Sequence, residues 1–127
     1  MRITVEKARQ FFAHPSQQLY GVTPETLPED GFEYWADGPV CGVAHQAPYP
    51  GVWMVHIACK PEGRGNAEKH TRNLLHEFWA DKTPERIIGW TPARFRHAVA
   101  LNRRLGFKED GRLPMPDGDV IMFGWRP

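Results

Sequence analysis

The sequence has little of several features that would place it in a specialised class of protein. Its 127 residues carry a formal net charge of only +1, from 16 basic and 15 acidic side chains. That balance gives no overall field that would attract nucleic acid or an anionic membrane. Apolar runs fall short of the roughly 20 residues of a membrane helix, and the N-terminal "MRITVEKARQ" lacks the apolar core of a signal peptide. These absences favour a cytoplasmic protein that binds neither nucleic acid nor a membrane.

Cysteine is scarce as well. Cys41 and Cys59 are too few for a disulfide framework, and neither belongs to a C-x-x-C pair. If the chain between them forms a hairpin that turns about Tyr49 and Pro50, the two cysteines face each other. That register allows a strained cross-strand disulfide, although thiols are favoured in a cytosolic chain. The histidines include no i, i+4 pair of the H-E-x-x-H kind, so no metal site is predicted.

The residues that are present suffice for one packed domain over residues 1–127, because apolar side chains make up 41% and aromatic side chains 12% of the chain. A helix is predicted over Val5 to His14, with Thr4 as its N-cap. Residues 15–31 are rich in proline and glycine and are predicted to be a loop. Three strands follow as an antiparallel meander: Phe32 to Ala36, Val40 to Gln46 and Val52 to Cys59.

In the second half of the chain, the spacing of apolar residues changes from that of strands to that of a helix. Apolar residues from Ala67 to Trp79 recur at helical spacing after Asn66, a plausible N-cap. The short apolar run Arg86 to Trp90 should be a strand parallel to the one before the helix. A second amphipathic helix ends at Gly106, and two strands complete the chain, the last over Val120 to Trp125. The pattern predicts an α/β fold: a mixed, mostly antiparallel sheet with helices on both faces.

The stretch "KPEGRGNAEK" places Gly63 and Gly65 around Arg64, between a strand and a helix. A Walker loop needs G-x-x-x-x-G-K-[ST], which this stretch does not supply. A Rossmann loop would need a small residue where Glu68 stands, after a strand of a parallel sheet. Two interpretations remain: a tight turn, or a loop whose backbone N–H groups bind an anion at the N-terminus of the helix.

Two motifs in this order resemble those of the GNAT (GCN5-related N-acetyltransferase) superfamily. "VHIACKPEGRGNAEKHTRNLL" resembles its [QR]-x-x-G-x-[GA] strand–loop–helix, with Gly65 and Ala67 at the small positions. "HAVALNRRLGFKEDG" is similar to its A-x-x-x-[YN]-x-x-x-G-F helix and strand, and some phage-encoded members have a similar "NRRLGF" ending. Three residues depart from the pattern: Glu62 at the first loop position, Asn102 where a tyrosine acid often stands, and Phe95 where asparagine is common.

The resemblance implies an N-acetyltransferase that moves the acetyl group of acetyl-CoA to a primary amine of a small molecule, peptide or protein. An alternative is a GNAT-fold module that acts through protein contacts with weak or no catalysis. A third interpretation is an acyltransferase that uses a longer acyl chain. A homodimer is a further expectation, because an exposed C-terminal edge strand can pair with a second copy.

The resemblance also implies roles for individual residues. The candidates for the proton acceptor are His56, with His45 on the neighbouring strand, and Glu33, while Asn102 could hydrogen-bond the leaving sulfur. Tyr34 and Trp35 are candidates to line an acceptor pocket. The expected cofactor contacts are Ile57, Ala58, Cys59, Glu62, Gly63, Arg64, Gly65, Asn66, Ala67, Asn102 and Arg104.

Overall fold

The N-terminal segment forms a short helix followed by turns. A computed structural model describes residues 1–18 and 22–127. Helix α1, Val5–Ala8, begins where the Oγ1 atom of Thr4 accepts a hydrogen bond from the Lys7 amide at 3.2 Å, and it tightens into a 3₁₀ turn, Arg9–Phe12. The helix therefore begins as predicted but is shorter. The described part of the predicted loop 15–31 contains two further 3₁₀ turns, and residues 19–21 lie outside it.

Seven strands of the described residues form one sheet in the order β1-β2-β3-β4-β5-β7-β6. The predicted meander and the predicted parallel pair are both confirmed, since β4 and β5 are parallel while the other described pairs are antiparallel. Helices α2, Ala67–Lys82, and α3, Arg96–Arg104, follow β4 and β5. The strands are Arg2–Ile3 (β1), Phe32–Asp37 (β2), Val40–Gln46 (β3), Val52–Cys59 (β4), Arg86–Pro92 (β5), Lys108–Met115 (β6) and Gly118–Trp125 (β7).

The two faces of the sheet carry separate cores. On one side, which we call the α2 face, strand residues such as Trp35, Ala44 and Ile87 pack against Leu74 and Phe78 of α2. On the other side, the α1 face, the N-terminal segment packs against the opposite side chains of β2, β3 and β4. Because neighbouring residues of a strand point to opposite faces, the two cores share the same strands. The predicted mixed sheet with helices on both faces is confirmed.

The β3–β4 hairpin has a register one residue away from the one that would align the cysteines. Val40 pairs with Cys59, and Cys41 pairs with Ala58. A one-residue shift reverses the face of a side chain, so Cys41 lies on the α1 face and Cys59 on the α2 face. Both are free thiols, and the cross-strand disulfide is excluded by this geometry.

Two other expectations about the elements differ from the structure. Asn66 occupies the N-cap position of α2, but its side chain makes no cap hydrogen bond with the described residues. The C-terminal strand β7 lies between β5 and β6, so the edge strand is β6. The order arises because β6 and β7 form a hairpin whose second strand, not its first, pairs with β5.

Candidate cofactor and active site

A cleft opens in the middle of the sheet, where its two parallel strands separate. β4 and β5 pair only from Val52–Met54 to Arg86–Ile88. Beyond that point β4 stays paired with β3 and β5 with β7, so each keeps one edge free along the gap. The strands are still close at the apex, where a Cβ added to Gly89 would stand 3.3 Å from the Val55 carbonyl oxygen. We call this opening the β4–β5 cleft.

The pleat of β4 decides which backbone groups face the cleft. The Lys60 amide donates to the Pro39 carbonyl, and the Ala47 amide to the Val52 carbonyl, each at 2.9 Å. Since antiparallel residues alternate between bonded and non-bonded pairs, the Ala58 amide must face β3, whereas the amides of Ile57 and Cys59 face the cleft.

Ile57, Ala58 and Cys59, the three predicted cofactor contacts on β4, therefore differ in the direction and the partners of their amides. Ile57 presents its amide to the cleft, and its side chain is 38% exposed. The Cys59 amide donates to Oε1 of Gln17 at 3.1 Å. Ala58 buries its side chain on the α1 face and directs its amide into the β3–β4 ladder. Ile57 is thus the residue of this group that is open to a ligand, and Gln17 is a neighbour that sequence reasoning did not identify.

The two glycines of the loop after β4 have different surroundings. The loop forms a 3₁₀ turn, Pro61–Asn66, that leads into α2. A Cβ on Gly63 would overlap the ring of Pro39, so the absence of a side chain there is a packing requirement. A Cβ on Gly65 would have no described heavy atom within 4 Å. Neither glycine has a left-handed φ, so a tight turn does not account for Gly65, and the open space beside it suits a ligand.

The charged and polar groups of the loop are partly engaged. Nη2 of Arg64 donates to Oγ of Ser16 at 2.7 Å, which leaves other guanidinium donors of Arg64 for an anion. The Ala67 amide already donates to the Arg64 carbonyl. Glu62 and Asn66 are exposed, and the Glu62 carboxylate adds a negative charge that a bound anion would have to tolerate.

Asn102 has a partner on β5, across the cleft from Ile57. Its Nδ2 donates to Oγ1 of Thr91 at 2.9 Å. Thr91 lies on the α2 face, in the part of β5 that no longer pairs with β4. Asn102 and Thr91 therefore form a polar pair at the cleft. The signal for Thr91 in the sequence was a hydroxyl at the end of the apolar run "RIIGWT".

Arg104 connects the end of α3 to the beginning of α2. Its Nε donates to Oε1 of Glu68 at 2.6 Å, and its carbonyl accepts from Arg72 at 3.2 Å. Both side chains of the Arg104–Glu68 pair are exposed, so the pair adds little to stability. The pair does hold the Arg104 guanidinium, a cation, beside the first turn of α2 and next to the loop.

The two candidate proton acceptors lie on opposite faces of the sheet. His56 is on the α1 face, and its ring stacks on that of His45 with 5.9 Å between centroids. Glu33 is on the α2 face, where its carboxylate pairs with Nζ of Lys82 at 2.6 Å and accepts from the Trp35 indole at 3.2 Å. The geometry does not bring His56 and Glu33 together, and the Glu33 carboxylate is already engaged.

Burial lowers the pKa of His56, and the neighbouring His45 lowers it further. The imidazole is therefore neutral at pH 7, the form that can accept a proton. Tyr34 and Trp35, the candidates for an acceptor pocket, are instead buried in the two cores. In residues 1–18 and 22–127, no three metal-binding side chains cluster.

A membrane-spanning helix would need a long apolar segment, and none of the described helices has one.

No family model matches the chain, and no curated protein matches it. Solved structures do match. A GNAT-family protein from Desulfovibrio desulfuricans superposes with a TM-score of 0.73 at 15% identity, over 99% of this chain and 96% of that one. Aminoglycoside acetyltransferase AAC(6')-Ib in complex with coenzyme A superposes with a TM-score of 0.73 at 13% identity, over 98% of this chain and 92% of that one. A spermidine N-acetyltransferase SpeG variant from Vibrio cholerae superposes with a TM-score of 0.70 at 14% identity, over 98% of this chain and 92% of that one. The chain therefore has the GNAT fold.

Proposed function

We propose that the protein is an N-acetyltransferase that takes acetyl-CoA as donor and a primary amine as acceptor. The observation that carries the proposal is the β4–β5 cleft, in which a free strand edge leads to an open glycine at the beginning of a long helix. The similarity of the fold to acetyltransferases, one of them in complex with coenzyme A, supports the same function.

Several features of the cleft support a CoA thioester as its ligand. The pyrophosphate would lie at the loop, where Gly65 leaves space, Arg64 offers guanidinium donors and the α2 N-terminus favours negative charge. The strand between Val55 and Lys60 spans five residue steps of about 3.3 Å each, which gives a length of about 17 Å. An extended pantetheine arm is of similar length. Arg104, beside the first turn of α2, is proposed to meet the adenosine 3′-phosphate.

The proposed chemistry needs a neutral amine, a held carbonyl and a stable leaving group. Bound acetyl-CoA supplies an acyl carbon that forms a C–N bond as its C–S bond breaks. The Ile57 amide is proposed to donate to the acyl oxygen, and the neutral His56 imidazole to take the proton that the amine loses. Asn102 is proposed to donate to the sulfur, which leaves readily because a thiol has a pKa near 8.5.

The acceptor is proposed to bind on the α1 face beside the cleft. The N-terminal segment covers β2, β3 and β4 on this face, whereas the β5–β7–β6 part presents exposed apolar side chains. Trp90 lies there, 41% exposed, and the pairing of Met54 with Ile88 places it on the same face as His56. Leu113 and Met115 add exposed apolar surface. An amine that carries an apolar or aromatic group would suit this surface.

The experiment that tests the proposal is calorimetric titration of the purified protein with acetyl-CoA, with adenosine 3′,5′-bisphosphate as a probe of the loop alone. We expect one site per chain with micromolar affinity, and release of free thiol when a panel of primary amines is added. Absence of binding at millimolar acetyl-CoA would contradict the proposal. Binding without turnover on any amine would indicate the alternative, a module that holds CoA and acts through protein contacts.

A further inference from the structure

A small apolar cavity lies between the sheet and α2. Its volume is about 20 Å³, and it is lined only by apolar and aromatic residues, which is room for about one water-sized or methyl-sized group. An apolar lining offers a water molecule no hydrogen-bond partner and therefore favours an apolar group. The residues on which the argument rests are Gly42 and Ala44 of β3, Val55 and Ile57 of β4, and Leu74 of α2.

The cavity lies directly behind the free edge of β4. Val55 and Ile57 line it, and both follow the point at which β4 stops pairing with β5. Ile57 also directs its amide to the cleft and is 38% exposed. Ile57 therefore belongs to both places, since its side chain lines the cavity while its amide, proposed to hold the acyl oxygen, faces the β4–β5 cleft.

Gly42 is the reason that space remains. A Cβ at Gly42 would stand 3.7 Å from Cδ1 of Ile57 and 3.9 Å from Cδ1 of Leu74, which are ordinary contact distances. The φ of Gly42 is not left-handed, unlike that of Gly38 at 55°. Neither steric overlap nor backbone conformation therefore requires glycine here, and glycine inside a strand weakens it. What the missing side chain provides is the empty volume next to Ile57.

We infer that this cavity receives the end of the acyl chain, and that the preferred donor carries one carbon more than acetyl, as propionyl-CoA does. The inference rests on the proposed function, since it needs the thioester in the cleft. An apolar cavity stabilises an additional methylene by removing it from water, which corresponds to about a fourfold gain in affinity. A butyryl group exceeds the volume and gains nothing further, because closely packed neighbours do not yield freely.

The test compares the affinities of CoA, acetyl-CoA, propionyl-CoA and butyryl-CoA by calorimetry, which requires no acceptor. The variant is Gly42→Ala, which fills the cavity. The matched control is Gly111→Ala on β6, where an added Cβ has no described atom within 4 Å. We expect the wild type and Gly111→Ala to bind propionyl-CoA about fourfold more tightly than acetyl-CoA, and Gly42→Ala to lose the preference while it retains its affinity for CoA.

Three results would overturn the inference. If CoA binds but the wild type does not distinguish propionyl from acetyl, or if the preference survives in Gly42→Ala, the cavity does not hold the acyl end although the proposed function stands. If none of the four compounds binds, both the inference and the proposed function fail. Thermal unfolding of Gly42→Ala checks that the variant is folded, and its midpoint should not fall because the added methyl makes only ordinary contacts.

Discussion

Gly63 and Gly65 stand two positions apart in one loop but are constrained by different neighbours. Gly63 is buried against Pro39, whereas Gly65 is open to solvent. In sequence the two are equivalent members of "EGRGNA", since both are glycines between a strand and a helix. Only the surroundings show that Gly63 serves packing and that Gly65 is free to serve a ligand.

Substitution should therefore separate the two roles. Gly65→Glu is expected to leave stability unchanged and to lower acetyl-CoA affinity by more than about tenfold, because it adds bulk and negative charge where the pyrophosphate is proposed to bind. Gly63→Ala is expected to lower the free energy of unfolding by about 1–3 kcal/mol through overlap with Pro39. Calorimetry and denaturant unfolding measure the two effects, with Gly111→Glu as the control for an added exposed glutamate. Unchanged affinity in Gly65→Glu would show that the loop is not the phosphate site.

The Asn102–Thr91 pair allows a second test at the scale of single residues. Asn102→Ala and Thr91→Val each remove their hydrogen bond and should each cost about 1 kcal/mol of stability. If Asn102 also donates to the leaving sulfur, Asn102→Ala should lower kcat about tenfold more than Thr91→Val, with little difference in KM. Steady-state kinetics with the best amine found in the panel measures the ratio. Equal losses in kcat would limit Asn102 to a structural role.

At the scale of elements, β4 contributes side chains to both faces of the sheet and backbone groups to the free edge at the cleft. Its residues alternate between the two cores, with His56 on the α1 face and Ile57 on the α2 face. Along its free edge, alternate amides face the cleft. One strand thus places a candidate proton acceptor on the face proposed for the amine, and an amide and apolar side chain on the side proposed for the thioester.

The lowered pKa of His56 makes a prediction about pH. In the unfolded chain a histidine takes up its proton below a pH of about 6.5, whereas the folded chain resists protonation of His56 because of burial and His45. The unfolded state then binds more protons, so stability should fall as the pH drops from about 6.5 towards the lower folded pKa.

Denaturant unfolding between pH 7.5 and pH 5, in steps of about half a unit, measures the slope. His56→Gln should show a shallower loss of stability than the wild type over this range, and the exposed His97→Gln should retain the wild-type slope. Asp37, whose pKa is lowered mainly by its hydrogen bond to His70, should lose its contribution only at lower pH, below its ordinary value near 4. Parallel curves for His56→Gln and the wild type would contradict the assignment.

At the scale of the whole molecule, the two parts of the sheet are joined across a short parallel ladder. Three residue pairs connect β4 to β5. Leu105, just after α3, and Trp125 of β7 also pack in one core with the side chains of α2. A ligand in the cleft would contact both parts at once. Its binding energy should therefore appear as resistance of the entire chain to unfolding.

Acetyl-CoA at 100 times its dissociation constant should stabilise the chain by about 2.7 kcal/mol, which raises the unfolding midpoint on the order of 10 °C for a chain of this size. Adenosine 3′,5′-bisphosphate at the same concentration should produce a smaller shift, since it lacks the pantetheine arm that lies along β4. Differential scanning calorimetry measures both shifts. Equal shifts would mean that the cleft beyond the loop contributes no binding.

The edge of the sheet also bears on self-association. The homodimer was predicted from an exposed C-terminal edge strand, but the edge is β6, with an irregularity between Glu109 and Gly111 and a proline at Pro114. A bulge and a proline both hinder addition of a further strand. β6 is therefore poorly suited to pair with a second copy, and the homodimer stays a prediction without a located interface.

The order and type of the elements could be predicted from the sequence, because hydrophobic period and glycine or proline breaks are local properties. α2 illustrates this: its apolar stripe from Ala67 to Trp79 matches the observed face towards the sheet. The first helix was predicted too long because its later turns are 3₁₀ rather than α, a difference that periodicity does not resolve. The register of β3 against β4 was missed by one residue, because it depends on the geometry of the turn.

The sequence by itself determined a mixed α/β sheet, the parallel crossover through α2 and the position of a glycine loop at the beginning of that helix, since each depends on neighbours in the chain. Only the tertiary structure decided which residues share a side of the sheet. It separated His56 from Glu33, turned the Ala58 amide away from the cleft, paired Asn102 with Thr91 and left a cavity behind Ile57. The physical reason is that pleat, register and strand divergence are set by contacts between distant segments, and each decides the direction of a group rather than its identity.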